Sequence, residues 1–168
     1  MKISIKHIVF AGLALGCLAS CSQTLSDTPP ATATPLMKED YYKALNGDVE
    51  ALWRVGSAYS DGMRGLPKDD RAAANAWETA AKLGHAESCV QIGGAYAAGR
   101  GRFQNYSKAR KYWQMAHSYG HPKAAGYLKE LEEYIAEEER KEAQRRYVQQ
   151  MEAAQQANRM IQTMMNGY

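Results

Sequence analysis

A chain of 168 residues and 18.6 kDa is the size of one domain. Its 45% hydrophobic content excludes a wholly disordered chain, and 14 Gly with 5 Pro exclude a low-complexity or collagen-like one. The formal net charge of +3 comes without a long block of like charge, which excludes a nucleic-acid arm, and three Cys are too few for a disulfide scaffold.

Residues 1–21 read MKISIKHIVFAGLALGCLASC. Lys2 and Lys6 make a basic flank, and the apolar run from Ile8 to Leu18 has the length of a signal-peptide core. It falls short of the roughly 20 apolar residues that span a bilayer. The run ends in Leu18-Ala19-Ser20-Cys21, which resembles the lipobox of bacterial lipoprotein signal peptides. The resemblance implies cleavage after Ser20 and acylation (palmitate among the chains) of Cys21 as the new N-terminus. Two or more acyl chains anchor a protein stably, so it also implies the membrane as a partner and the bacterial cell envelope as the location. Ser22, where Asp is the alternative, follows the pattern that implies the outer membrane, on its periplasmic or surface face. Loss of residues 1–20 removes Lys2 and Lys6 and leaves 19 basic against 18 acidic residues, a net +1. Attraction to nucleic acid loses its support, and no nucleic-acid partner is expected.

Residues 21–37 hold the lipidated Cys and a Ser/Thr/Pro-rich stretch, SQTLSDTPPATATPL over 22–36. That composition cannot bury a core and predicts an extended spacer.

A repeat domain is expected over 38–128, with units at about 48–84 and 85–120. Gly47 recurs as Gly84 and Gly120; Gly56, Tyr59 and Gly62 recur 37 residues on as Gly93, Tyr96 and Gly99. Gly65, Asp69, Ala73, Trp77 and Ala80 recur 36 residues on as Gly101, Asn105, Ala109, Trp113 and Ala116. Each unit reads as two helices: Asp48–Tyr59 with Asp70–Leu83, then Ala86–Ala98 with Tyr106–Tyr119. Asp69 and Asn105 are N-cap types, and Gly84 and Gly120 sit where a left-handed C-cap is wanted. Leu52, Val55 and Tyr59 share one face. Gly56 and Gly93 cost about 1 kcal/mol each inside a helix relative to Ala, which predicts a close helix crossing there, with Trp77 and Trp113 filling gaps between layers. Residues 38–46 supply a helix in front, and Pro122 fits N1 of a helix behind.

The series Ala51, Val55-Gly56, Tyr59, Gly62, Gly65, Asp69, Ala73, Trp77, Ala80-Ala81, Gly84-His85 resembles the Sel-1-like repeat, a tetratricopeptide-like α/α unit of about 36 residues. Its second copy keeps Ile92-Gly93, Tyr96, Gly99, Gly101, Asn105, Ala109, Trp113, Ala116 and Gly120-His121. It departs at Asn105 and at His117, where a second Ala is expected. The resemblance implies an all-α fold: a short α/α solenoid followed by a long C-terminal helix. Some secreted members carry a Cys pair per repeat and some bind or hydrolyse β-lactams; this chain has no such pairs, so that activity is not carried over.

Residues 129–168 form the third part. No Pro lies between Lys123 and Met165, and no Gly follows Gly126 until Gly167, which allows a helix of about 40 residues, roughly 60 Å long. Tyr127, Leu128, Leu131, Tyr134 and Ile135 form a face that caps the last repeat. Residues 136–146 (AEEERKEAQRR) read as a solvated rod with i,i+4 pairs Glu137–Lys141 and Glu142–Arg146. Tyr147, Met151, Ala154, Asn158, Ile161 and Met165 then follow at 4-3-4-3-4 spacing, about two and a half heptads of a coiled-coil-like seam. It reads equally as a partner-binding or self-associating helix (a homo-oligomer contact) and as a helix folded back or frayed.

No catalytic constellation stands out. His85 and His121 occupy one repeat position, and His117 is cut off from His121 by Gly120, so no metal site is expected. Cys89 aligns with Leu52 and reads as a buried apolar residue. The paired glycines lack a phosphate-loop context. Neither a cofactor nor an enzymatic activity is expected. The function that follows is a membrane-anchored scaffold for an envelope protein partner, with candidate binding residues Arg64, Arg100, Arg102 and Tyr106 near the glycine loops and Tyr147, Met151, Ile161 and Met165 on the last helix. The alternatives are an envelope enzyme or small-ligand binder related to peptidoglycan or β-lactams, and a self-associating structural lipoprotein.

Overall fold

The computed structural model describes residues 25–166. The expected signal segment, Cys17 and Cys21 lie outside the described residues. Within them the regular structure is entirely helical: α1 Pro35–Leu45, α2 Val49–Asp61, α3 Asp70–Lys82, α4 Ala86–Ala98, α5 Tyr106–Ser118 and α6 Ala124–Asn166. The chain is an all-α repeat fold that divides into two compact units at Leu128 and Lys129.

In the first unit, α2 through α5 lie within two residues of the ends that the repeat predicts. Local chemistry sets those ends. Asp48 caps α2 by accepting from the Ala51 N–H at 2.7 Å, Asp69 caps α3 by accepting from Arg71 and Ala72 at 2.9 Å, and Asn105 caps α5 by accepting from Lys108 at 2.8 Å. Gly62 and Gly99 end α2 and α4 in the left-handed region, at φ 67° and 70°. Gly84 and Gly120 also take positive φ, one residue beyond the caps of α3 and α5.

Successive helices pack in series, α1 on α2, α2 on α3, α3 on α4 and α4 on α5. Leu52, Val55 and Tyr59 of α2 and Ile92 and Tyr96 of α4 are buried against small residues, Ala73, Ala76 and Ala80 of α3 and Ala109 and Ala116 of α5. The tryptophans sit inside their own repeats. A Cβ on Gly56 would lie 2.7 Å from the Trp77 indole, and one on Gly93 would lie 2.5 Å from Trp113 Nε1. Each glycine is therefore the seat of an indole from the second helix of its unit. The Trp113 Nε1–H donates to the Val90 carbonyl at 3.1 Å, and its ring stacks on Tyr127 with centroids 5.5 Å apart.

The segment before α1 departs from the expected spacer. Leu25 and Ala33 are buried, and Ser26 Oγ shares a 2.6 Å hydrogen bond with the Tyr41 hydroxyl. Thr32 Oγ1 donates to the Gly65 carbonyl at 2.6 Å, and the Thr34 N–H donates to the Arg64 carbonyl at 3.0 Å. A Cβ on Gly65 would collide with the Thr32 carbonyl, as one on Gly101 would with the Asp70 carbonyl. Residues 32–33 thus occupy, on the first glycine loop, the place that the start of α3 occupies on the second. From Leu25 onward the segment is part of the fold, and α1 begins at Pro35, capped by Thr34. The helix packs on α2 as the second helix of a preceding unit would. At its Asp40, which falls where α3 has Trp77, Arg54 closes two hydrogen bonds of 3.1 and 2.9 Å.

α6 starts at Ala124, two residues after Pro122, and Leu131 is buried while Tyr134 is 49% exposed. In the second unit the helix carries exposed ion pairs, Lys141 with Glu137 at 3.8 Å and with Glu138 at 3.0 Å, and Arg146 with Glu142 at 3.9 Å. Such exposed pairs are screened by solvent and contribute little to stability.

Candidate functional site

The second glycine loop is an open feature of the repeat unit. Gly99 and Gly101, both at positive φ, turn the chain between α4 and α5, and the loop leaves Phe103 96% exposed. Phe103, Gly99, Gly101, Arg102 and Arg71 line an open cleft of about 540 Å³. An aromatic side chain held in solvent beside a cleft is a ready contact for another chain.

Arg102 anchors that loop. Its guanidinium donates to Asn75 Oδ1 at 2.7 Å and to Glu78 Oε2 at 2.8 Å, and the Tyr112 hydroxyl donates to the other Glu78 oxygen at 3.1 Å. Burial pushes the Glu78 carboxyl up, but the bonds from Arg102 and Tyr112 and the charge of Lys82 outweigh it and hold the group below its usual range. Tyr112 stacks on Tyr96 at 5.8 Å, and Lys108 lies 5.0 Å above the Tyr96 ring. Gln104 Nε2 donates to the Tyr106 hydroxyl and to the Ala97 carbonyl, both at 2.9 Å.

Of the four loop residues expected at a binding surface, Arg100 is exposed and Arg64 is half-exposed, 3.9 Å from Asp40. Arg102 is mostly enclosed and committed to Glu78, so it positions the loop and is not a free contact. Its partners lie in the preceding repeat, 24 and 27 residues back. Phe103 escaped the sequence reading because its repeat equivalent is Pro67; the available signal was a lone aromatic among loop glycines. The first loop borders a smaller recess of about 120 Å³ formed by Trp53, Arg54, Ser57, Asp61, Met63 and Arg64 among others.

The two repeat histidines are linkers between units. His85 Nδ1 accepts from the Ser88 N–H at 3.2 Å and so caps α4, while Nε2 meets Glu50 at 3.2 Å. His121 repeats the arrangement, with Nδ1 accepting from the Lys123 N–H at 3.3 Å and Nε2 meeting Glu87 at 2.9 Å. Among the described residues no group of three or more His, Cys, Asp or Glu is placed to hold a metal ion. Cys89 is fully buried, and burial pushes its thiol up to about 11. A thiol so placed is not a nucleophile at neutral pH.

On α6, Tyr147, Met151, Ile161 and Met165 are all exposed, at 58%, 45%, 54% and 74%. No helix among the described residues is long and apolar enough to cross a membrane.

The Sel1 repeat family profile matches residues 49–85 and 86–116. Among solved structures, a Sel1 repeat protein from Oxalobacter formigenes superposes with a TM-score of 0.52 at 24% identity, over 55% of this chain and 71% of that one. The cysteine rich protein B (hcpB) of Helicobacter pylori superposes with a TM-score of 0.51 at 23% identity, over 74% of this chain and 98% of that one. At these identities the likeness is one of fold. Cys89 is the one free cysteine of the described residues, so the fold stands here without disulfide staples. No curated protein matches the chain.

Proposed function

We propose, from the two segments that match the Sel1 repeat, a unit that serves as a protein–protein interaction scaffold, that the chain is a lipoprotein of the bacterial cell envelope, anchored through Cys21, whose repeats hold a protein partner. The observation that carries the binding role is Phe103, almost fully exposed beside the open cleft of the second glycine loop while Arg102 holds that loop in place. Phe103, Arg100 and Arg71 give the partner one apolar anchor flanked by positive charge, the pairing that concentrates binding energy at interfaces. The lipobox supports the anchor, and Ser22 supports the outer membrane as its destination.

A photo-crosslinking residue at position 103 of the full chain, expressed with its own N-terminus, tests the reading. The expected result is a discrete crosslinked protein in the membrane fraction from position 103 and none from position 139 on the charged rod. Absence of a product at 103 overturns the binding role. Cys21→Ser is expected to abolish labelling by a fatty-acid probe and to release the protein from membranes; unchanged labelling overturns the anchor.

A further inference from the structure

We propose that α6 carries a self-association site in which residues 147–165 pair antiparallel with the same segment of a second copy of the chain. The seam of Tyr147, Met151, Ala154, Asn158, Ile161 and Met165 runs along one helix face, and every one of these residues is exposed. A seam of this spacing is complementary to another of the same spacing.

Charge decides both the partner and the direction. Between 147 and 166 the only charged residues are Glu152 and Arg159, whereas 133–146 is densely charged. Continued upstream, the seam positions are Gln144, Arg140, Glu137 and Glu133. A parallel, in-register pair would set Arg140, Glu137 and Glu133 each against its own copy in the interface, which is repulsive at every charged layer. An antiparallel pair centred on Gln156 confines the overlap to the neutral segment, about 28 Å at 1.5 Å per residue. Its layers are Tyr147 with Met165, Met151 with Ile161, and Ala154 with Asn158, the small residue opposite the polar one. The flanking positions, Val148, Gln150, Gln155, Ala157, Gln162 and Met164, carry no charge.

The ends match as well. The last turn of α6 holds no basic residue to meet its unsatisfied carbonyls. In the antiparallel register Arg145 and Arg146 lie beside the last turn of the partner's helix, where a cation is favoured. This contact lies on the second unit and does not depend on the loop reading given above.

Sedimentation equilibrium of the full chain in mild detergent tests the proposal. The expected mass rises to that of a dimer with concentration, and a Met151→Lys/Ile161→Lys variant stays monomeric while its repeat unit unfolds at the wild-type temperature. For direction, Tyr147→Cys and Met165→Cys chains are mixed and oxidised, and the linked residues are mapped by mass spectrometry. Antiparallel pairing yields 147-to-165 links between chains. A monomer at every concentration, a dimer insensitive to the two lysines, or links joining 147 to 147 and 165 to 165 overturns the proposal.

Discussion

Gly93 and Gly94 are neighbours in α4 with opposite surroundings. A Cβ on Gly93 would press into the Trp113 indole at 2.5 Å, whereas a Cβ on Gly94 would meet nothing within 4 Å. Neither has positive φ, so backbone freedom is not the reason for either. Alanine at 94 is expected to stabilise the protein by up to about 1 kcal/mol through helix propensity. Alanine at 93 gains the same propensity but displaces a ring that is packed on Tyr127 and bonded to Val90, and is expected to cost about 1–2 kcal/mol net. Urea titration of the two variants checks the pair. Equal effects at both positions would show that the indole is not what keeps Gly93 a glycine. Gly56 stands in the same relation to Trp77, so Gly56→Ala belongs with Gly93→Ala.

At the scale of elements, α1 and the residues before it show where composition misleads. Ser, Thr and Pro cannot build a core of their own, yet here they need none: Thr32 and Thr34 bond to carbonyls of the first glycine loop, and Leu25 and Ala33 fill the space between. Deleting residues 25–33 is expected to lower the stability of the repeat unit by roughly 2–4 kcal/mol, from a buried Leu side chain and lost hydrogen bonds. Unchanged thermal unfolding after the deletion would restore the segment to a passive spacer. The helices α2 to α5 were legible in the sequence because each repeated position has a local cause, a cap at Asp69 or Asn105, a left-handed turn at Gly99, a small residue at Ala73. What matched repeats could not show was chemistry that differs between the copies. Arg102 reads as a surface cation until Glu78 of the preceding repeat is seen beside it, and Phe103 has Pro67 as its counterpart. Segment 25–34 was hidden for a related reason: Thr32 and Thr34 bond to backbone carbonyls of the first glycine loop, which leave no mark on side-chain pattern.

Across the repeat array the helices pack in series, so stability is approximately the sum of the units and the locks between them. Three of those locks end on carboxylates: Glu50 with His85, Glu87 with His121, and Glu78 with Arg102 and Tyr112. Burial pushes the Glu87 carboxyl up, and the hydrogen bonds from His121 and Gln91 more than offset it, so the group lies below its usual range, as Glu78 does. A carboxylate depressed in the folded state stabilises it above the unfolded value of about 4.3, and that contribution is lost as pH falls through the lower folded value. The urea midpoint of the wild-type protein is therefore expected to hold between about pH 7 and 5 and to fall steeply below about 4. Glu87→Gln and Glu78→Gln each remove an ionised end of a lock: both are expected to lower the midpoint at neutral pH and to make the acid fall shallower, with the double variant shallowest. The two sites occupy separate locks, so their effects on the acid slope are expected to add. Variants whose acid slopes parallel the wild type would place the acid sensitivity elsewhere and leave these contacts as neutral hydrogen bonds.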